Sequence, residues 1–286
     1  MRFDGTVSAA VDLASQGVTG YHHNFDYGKT GILVATNTTH ASDPNLNQTE
    51  STIFEISGSG AILKRWNMAK TFRDAILEDA TQDNFVRNRG QSGEDWFHNN
   101  SSTYRPSDNT LVASSRENFV IAVDYDTGVL KWILGDTTKQ WYTDYPSLRP
   151  YALTVNQSLV PMGQHAVRFR RDRLSCFDNG EASYSHTPAG ADRNFSMAQK
   201  FYIDTIGKTA TEIFNYNPTP RIDSNICGSF YEDASQSYLI DYATRTYLIG
   251  LDSSGNKAFD YQYPNTGACS TIYNAIPIHL ENLRFN

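Results

Sequence analysis

The sequence predicts an all-β protein, a propeller of four-stranded blades around a central channel. Two observations support this prediction. Aromatic residues make up 13% of the 286 positions and charged residues only 19%, a composition that suits the pleated, half-buried surface of a sheet. Turn-and-strand units also recur along the chain, and repeats of roughly 40–45 residues with four strands each are typical of propeller blades. A chain of this length would hold about six blades of that size.

Each recurring unit combines a turn with the apolar strand that follows it. The turns contain Gly with Asp or Ser, residues that supply positive φ angles, and they lie at 56–60, 124–128, 204–207 and 252–255. A second strand precedes each turn, at 31–36, 110–115, 173–177 and 238–242. Four blades are legible, and partial blades are expected before about Thr19 and after Cys269. The alternative fold is a β-sandwich with irregular hairpins.

Helical periodicity is confined to one segment. Apolar residues at 3.6-like spacing predict a helix over 67–87, with Phe72, Ala75 and Ile76 on one face.

Charge and cysteine content exclude several classes of function. With 24 Lys and Arg against 31 Asp and Glu, the net charge is −7, so the basic surplus that carries most nucleic-acid binding is missing. No apolar run approaches the roughly 20 residues that span a bilayer, and residues 1–5 do not resemble the start of a signal peptide. The three cysteines lack the spacing of a zinc site and allow one disulfide with one free thiol.

Polar residues precede the first strong strand of each legible unit, and three of these segments contain a histidine. His23, His98 and His165 occupy equivalent positions in three successive repeats, and equivalent positions in a propeller converge on the central channel. For any one of them, a structural hydrogen bond is the alternative role. Together they permit a metal site that activates water, or a nucleophile with acid–base partners around an anion.

Neighbouring residues favour the second chemistry. Arg116 follows the strand at 111–113, where a guanidinium can bind a tetrahedral oxyanion through two hydrogen bonds. Asn100 adds a neutral donor, whereas a divalent metal site would more naturally contain a carboxylate. We therefore expect no metal and no cofactor. The alternative role of Arg116 is a surface salt bridge with Glu117.

At these residues the sequence resembles the bacterial arylsulfotransferases that work without a nucleotide sulfate donor. One segment is similar to the family pattern D-W-x-H-x-N-S, namely Asp95-Trp-Phe-His98-Asn-Asn100-Ser101. Two further matches are Ala113-Ser-Ser-Arg116 with Lys131-Trp-Ile-Leu-Gly135, and Gln164-His165 with Leu174-Ser-Cys-Phe-Asp178-Asn-Gly180. The resemblance runs from about Tyr21 to Tyr242 in consistent order.

The resemblance implies a six-bladed propeller that transfers a sulfuryl group from one phenol to another through a sulfated histidine. It places the nucleophile at His165. The sulfate-binding and acid–base positions are those of His98, Asn100 and Arg116. The upstream channel histidine of the family matches His23, with a one-residue ambiguity because His22 lies beside it. A family threonine that contacts substrate falls at Cys227.

The chain also departs from the family pattern. Only 22 residues precede His23, so we expect a single propeller domain over 1–286 that lacks the family's N-terminal β domain, and with it the family's dimer contacts. The paired cysteines that the family carries near the Gln-His segment are absent, which leaves Cys227 and Cys269 as a candidate pair.

The resemblance implies small aryl sulfates and phenols as substrates, no nucleic-acid or membrane partner, and a periplasmic or secreted location. Two other functions stay open. One is a non-catalytic propeller that binds a sulfated or other anionic ligand, and the other is a metal-dependent hydrolase that uses the same histidines.

Overall fold

The computed structural model describes residues 6–7, 10–38, 51–76, 95–117, 119–185, 188–234, 236–265 and 267–277. In these ranges the backbone forms four antiparallel sheets of four strands, each with its strands in chain order from the inside outwards, and one sheet gains a short fifth strand. This arrangement confirms the predicted propeller-type fold class. The alternative β-sandwich is wrong, because four separate sheets follow one another along the chain.

The four blades take their strands from consecutive segments. Blade 1 contains β1 (Val18–Tyr27), β2 (Ile32–Thr38), β3 (Thr52–Ile56) and β4 (Ile62–Asn67). Blade 2 contains β5 (Asn99–Arg105), β6 (Thr110–Ser115), β7 (Phe119–Asp124) and β8 (Leu130–Gly135). Blade 3 contains the parallel edge strand β9 (Thr154–Asn156), then β10 (His165–Arg170), β11 (Arg173–Asp178), β12 (Met197–Asp204) and β13 (Thr209–Tyr216). Blade 4 contains β14 (Ser229–Glu232), β15 (Tyr238–Tyr242), β16 (Tyr247–Leu251) and β17 (Lys257–Gln262).

Helical segments are short. Within the described ranges the helices are α1 (Met68–Ala75) and α2 (Gln140–Thr143), and four 3₁₀ turns lie at Ala14–Gln16, Pro106–Asp108, Pro146–Tyr151 and Ala243–Arg245. The Asn67 side chain begins α1 by accepting a hydrogen bond from the Lys70 amide. The predicted helix is therefore confirmed at its start, and its predicted continuation over 77–87 lies outside the described residues.

The recurring units correspond to specific strands of the blades. The strands that follow the Gly turns become the fourth antiparallel strand of each blade, namely β4, β8, β13 and β17, and the strands that precede the turns become β2, β6, β11 and β15. The segments expected to form partial blades contain no strand in the described ranges. Residues 10–17 hold one 3₁₀ turn, and residues 267–277 pack against blade 4 through hydrogen bonds to Gly228 and Ser229.

The core lies between neighbouring blades rather than inside one sheet sandwich. Blades 1 and 2 bury an aromatic cluster with α1 that includes Trp66, Phe72 and Trp96. Blades 2 and 3 enclose Trp132 and Phe201, and similar clusters join blade 4 to blade 3. Because blade 2 has a neighbour on each face, nearly every residue of its strands is buried. Apolar burial at roughly 25 cal/mol per Å² makes these contacts the main force that holds the blades together.

The innermost strands β1, β5, β10 and β14 lie side by side around the channel. Polar contacts help to hold them in place: just before β10, the Gln164 side chain donates to Ser114 Oγ and to the Ser115 carbonyl of β6, at 3.1 and 2.9 Å. Further along, the Arg168 guanidinium pairs with Asp26 at 3.1 Å and lies 4.8 Å from the ring centre of Tyr231. The beginnings of these strands are thereby brought to one end of the channel.

One buried carboxyl group makes folding stability depend on pH. Asp241 of β15 is fully buried, and its Oδ1 accepts a hydrogen bond from Tyr263 Oη at 2.6 Å, while Oδ2 has no partner within the described ranges. Burial raises the pKa of Asp241 from 3.8 to about 7, against a smaller lowering by the Tyr263 hydrogen bond. The folded state therefore favours protonated Asp241, whose stabilising contribution is complete below about pH 4 and is lost as the pH rises through about 7.

We expect Asp241→Asn to remove this pH dependence. The free energy of unfolding of the variant, relative to wild type, should increase by on the order of 3 kcal/mol between pH 4 and pH 8. Urea unfolding of both proteins across that range measures the difference between their free energies of unfolding. Taking this difference removes the opposite pH effect of the buried histidines, which both proteins share. Parallel pH curves for the two proteins would contradict the prediction.

Candidate active site

Irregular backbone occurs in three of the inner strands, within β1 and at the start of β5 and β10. Pairing registers shift between His22 and Phe25 in β1, between Asn99 and Ser101 in β5, and between His165 and Arg168 in β10. Left-handed backbone occurs at or beside each shift, at His23 (φ 57°), His98 (φ 48°) and Ala166 (φ 52°). Bulges re-aim side chains, and left-handed non-glycine residues cost free energy that the surrounding packing must offset.

The three predicted channel histidines do not share one register position. His23 lies inside the β1 bulge, His98 immediately precedes β5, and His165 is the first residue of β10, where it pairs with Phe177. The bulges nevertheless bring the rings together. The His23 ring centre lies 4.8 Å from that of His98 and 6.1 Å from that of His165.

These three imidazoles and Arg116 line one cavity of about 570 Å³. The other lining residues are Asp95, Glu117, Tyr184, Ser185, Ile226, Cys227 and Cys269. The structure thus brings together four residues that the sequence singles out, from three blades, with His98 and Arg116 both adjoining strands of blade 2. A second cavity of about 40 Å³ adjoins it and is lined by His23, His165, Asn100 and Cys227 among others.

His165 is held from one side of its ring. Its Nδ1 lies 2.7 Å from Asn179 Oδ1 and 3.1 Å from the Gly163 carbonyl oxygen. Burial lowers the pKa of His165 to about 4, with a further lowering by the charges of His98 and Arg116 and an opposing effect of the Asn179 hydrogen bond. At neutral pH the His165 ring is therefore uncharged.

His23 and His22 contact each other through their Nδ1 atoms, 3.0 Å apart. Burial first, and then the neighbouring histidines, lower the pKa of His23 to about 2. Burial also lowers the pKa of His22 to about 4. Of the two, His23 lines the main cavity and His22 does not, so the structure places His23 at the position where the sequence leaves an ambiguity.

His98 has a carboxylate partner that the sequence reasoning did not single out. Its backbone N–H donates to Asp95 Oδ1 at 2.9 Å, and its Nδ1 contacts Asp95 Oδ2. The contact links residues three apart in the D-W-x-H motif, so this spacing could have predicted the pair from the sequence. An imidazolium at His98 is balanced by this carboxylate.

Arg116 is buried in the cavity wall, and its backbone N–H donates to the His98 carbonyl at 3.1 Å. Nη1 forms an ion pair with Glu117, while Nη2 is buried with no hydrogen-bond partner in the part of the chain that the structure describes. The pairing with Glu117 is thus present, but it is buried and not the surface salt bridge of the alternative interpretation.

Glu117 connects Arg116 to a loop beside the cavity. Its Oε2 accepts hydrogen bonds from Ser183 Oγ and from the N–H groups of Tyr184 and Ser185, at 2.7, 2.8 and 3.2 Å. The Tyr184 ring lies 4.3 Å from the Arg116 guanidinium carbon. No pattern in the sequence indicated Tyr184, because its position depends on this loop.

The two remaining predicted binding residues have other partners. Asn100 is buried, and its Nδ2 donates to the Gln164 carbonyl at 2.6 Å, so it lines the small cavity and not the main one. Cys227 forms a disulfide with Cys269, with their Cα atoms 5.8 Å apart, and Cys176 is a buried free thiol. One disulfide with one free thiol, which the composition allows, is therefore confirmed, and the disulfide forms part of the cavity wall.

Two features are absent from the described ranges. No group of three or more His, Cys, Asp or Glu side chains there is arranged to hold a metal ion. No helix in these ranges is long and apolar enough to cross a membrane.

Comparison with known proteins supports the resemblance. The profile of the family described as arylsulfotransferase (ASST) matches residues 4–273. The arylsulfate sulfotransferase AssT of Escherichia coli O6:H1 is 26% identical over 231 residues, which cover 75% of this chain and 37% of that protein. The chain therefore spans less than half the length of this curated relative.

Matches to solved structures are more distant. A europium-containing methanol dehydrogenase aligns with 95% of this chain and 50% of its own, at 12% identity and a TM-score of 0.46. BamB from Moraxella catarrhalis aligns with 84% of this chain and 48% of its own, at 9% identity and a TM-score of 0.41.

Removing the Glu117 charge should destabilise the fold. The Arg116 and Glu117 side chains are 3% and 5% exposed, and loss of one partner from a buried ion pair costs roughly 3–5 kcal/mol. We expect Glu117→Gln to lower the free energy of unfolding by about 3 kcal/mol, measured by urea unfolding.

The matched control is Asp74→Asn, which removes an ion pair with Lys70 whose side chains are 59% and 66% exposed. Such surface pairs contribute little, so the control should change stability by less than about 0.5 kcal/mol. Equal effects of the two substitutions would contradict a buried pair at Arg116.

Proposed function

The chain belongs to the arylsulfotransferase family, and we propose that it transfers a sulfuryl group from an aryl sulfate donor to a phenolic acceptor. The observation that carries the proposal is the convergence of His23, His98, His165 and Arg116 on one cavity of about 570 Å³. A cavity of this size suits a small aromatic substrate.

The charges around the cavity favour an anionic ester. The two lining carboxylates of Asp95 and Glu117 are already paired with His98 and Arg116, so neither presents an uncompensated negative charge to a ligand. Arg116 contributes the buried Nη2. Donors placed where negative charge grows during transfer stabilise the transition state.

In the first half-reaction, the Nε2 lone pair of His165 attacks sulfur. The N–S bond forms as the bond from sulfur to the aryl oxygen breaks, and the departing phenolate takes a proton from His98. The pKa of His165 near 4 supports this role, because the ring is uncharged at neutral pH and its lone pair is available.

In the second half-reaction, the acceptor phenol gives its proton to His98 and its oxygen attacks the same sulfur. The N–S bond breaks, and its electron pair returns to His165 Nε2. Donor and acceptor thus use one site in turn, which predicts ping-pong kinetics and a sulfohistidine intermediate.

The acid–base role falls to His98 rather than His23. Asp95 balances an imidazolium at His98, whereas burial lowers the pKa of His23 to about 2 and keeps that ring neutral. His23 would therefore act as a neutral hydrogen-bond donor to a sulfate oxygen.

A location in an oxidising compartment, such as the periplasm, is part of the proposal. The Cys227–Cys269 disulfide supports it, because structural disulfides persist in the periplasm and outside the cell and are rare in the cytosol.

His165 substitution tests the transferase directly. With an aryl sulfate, a phenol acceptor and a metal chelator present, wild type should sulfate the phenol, and His165→Gln should lose at least about a thousandfold in turnover. Without acceptor, intact wild-type protein should gain the mass of one SO₃ group on His165, and the variant should not.

Three outcomes would favour another function. Binding of the aryl sulfate with no sulfuryl mass on the protein and no sulfated phenol would indicate a binding propeller. Activity that returns only with added zinc or manganese would indicate a metal-dependent hydrolase. Donor hydrolysis that does not depend on acceptor would indicate a sulfatase variant. Circular dichroism of His165→Gln controls for misfolding.

The Asp95–His98 pair should accelerate transfer most for donors whose phenolate is a poor leaving group. General acid catalysis contributes about 10²–10⁴-fold, and it is needed least when the phenolate is stable. We expect Asp95→Asn to slow transfer from unsubstituted phenyl sulfate by about 100-fold and transfer from 4-nitrophenyl sulfate much less. Rates for a series of donors measure this, with Asp74→Asn as the control carboxylate, and an equal loss for every donor would contradict the role.

A further inference from the structure

We propose that Asn179 is the positioning residue that sets the tautomer of His165, keeping the ring proton on Nδ1 and leaving Nε2 as the sulfuryl acceptor. This inference rests on the proposed function, which makes His165 the nucleophile. Asn179 lies at the end of β11, in the Phe-Asp-Asn-Gly segment, and is fully buried.

The contacts of Nδ1 determine where the proton lies. Asn179 Oδ1 lies at 2.7 Å and the Gly163 carbonyl oxygen at 3.1 Å. Both are acceptors, so the nitrogen between them must donate. A neutral imidazole has one N–H, which leaves the lone pair on Nε2.

The orientation of the Asn179 amide is itself determined by its neighbours. Its Nδ2 donates to the carbonyl oxygens of Ser224 and Cys227, at 2.6 and 2.8 Å. Turning the amide over would place Oδ1 against two carbonyl oxygens, neither of which can donate. Oδ1 therefore faces His165, and the segment leading into β14 keeps it there.

A neutral amide at position 179 suits a His165 ring that must first accept and then release a sulfuryl group. The groups that face His165 from the other elements are His23 of β1, His98 before β5 and Arg116 after β6. A carboxylate at 179 would favour a charged imidazolium, which has no lone pair to attack sulfur. The neutral amide orients the ring and leaves it uncharged.

A merely structural role for Asn179 makes a different prediction. Its two hydrogen bonds to the Ser224 and Cys227 carbonyls join the end of β11 to the segment before β14, and these bonds do not depend on the state of His165. Ser196 offers a matched control, because its hydroxyl donates to the Asn179 carbonyl at 2.9 Å and to the Ser224 carbonyl at 3.1 Å. Within the described residues, Ser196 forms no hydrogen bond with His165.

The test compares Asn179→Asp, Asn179→Ala and Ser196→Ala with wild type in the full chain. Nitrogen-15 spectra of the protein with labelled histidine report the tautomer and the pKa of His165. The His165 signals are assigned as those missing from the spectrum of His165→Gln. The burst of 4-nitrophenol released from 4-nitrophenyl sulfate, followed against pH, reports sulfuryl capture.

We expect wild type to show the Nδ1–H tautomer and a burst rate that stays constant down to about pH 5. Asn179→Asp should raise the pKa of His165 by about one to three units and shift the acid limb of the burst rate by the same amount. Asn179→Ala should mix the tautomers and slow the burst by about 10–100-fold. Ser196→Ala should alter neither tautomer nor pH profile.

An Nε2–H tautomer in wild type would overturn the inference, as would an unchanged His165 pKa in Asn179→Asp. Equal spectra for Asn179→Ala and Ser196→Ala would reduce Asn179 to a structural role. These readouts do not need turnover. Tautomer and pKa changes as expected, in a wild type that never releases a burst, would support the positioning role and contradict the transferase.

Discussion

The convergence of the four inner strands on one channel is the constraint on which the site depends. A regular strand points successive side chains to opposite faces of its sheet, so it would direct them into the contacts between blades. The bulges and left-handed residues at His23, His98 and Ala166 break this alternation where the strands reach the channel. Packing between the blades offsets the strain, because the aromatic clusters on either side keep the strands in place.

Electrostatic pairing compensates the carboxylates in the cavity wall of a chain whose net charge is −7. Each carboxylate in the wall is bound to a cation or an imidazole, Glu117 to Arg116 and Asp95 to His98. Burial keeps His23 and His165 neutral. The histidines therefore divide into two neutral rings and one ring that contacts a carboxylate. This division comes from environment alone, since the three side chains are chemically identical.

Much of the fold could be predicted from local pattern. The Gly turns and the strands on both sides of them are short-range features, and they located β2, β4 and their counterparts in every blade. The predicted partial blades show no strand in the described ranges, where residues 10–17 hold a 3₁₀ turn and residues 267–277 pack against blade 4, and the rest of both segments lies outside those ranges. Within the site, motif spacing indicated His23, His98, His165 and Arg116. It did not indicate Tyr184, whose position depends on three hydrogen bonds to Glu117 across 66–68 residues of chain.

The sequence by itself determined the repeat, the strand content, the family and the residue types available for chemistry, because each of these follows from residue spacing and composition. The tertiary structure decided which of two adjacent histidines faces the cavity, that Cys227 pairs with Cys269, and that Asn179 rather than a carboxylate contacts the His165 ring. The physical reason is that protonation state, tautomer and orientation depend on burial and on partners from other blades. Those partners are distant in the chain and meet only when the inner strands close on the channel.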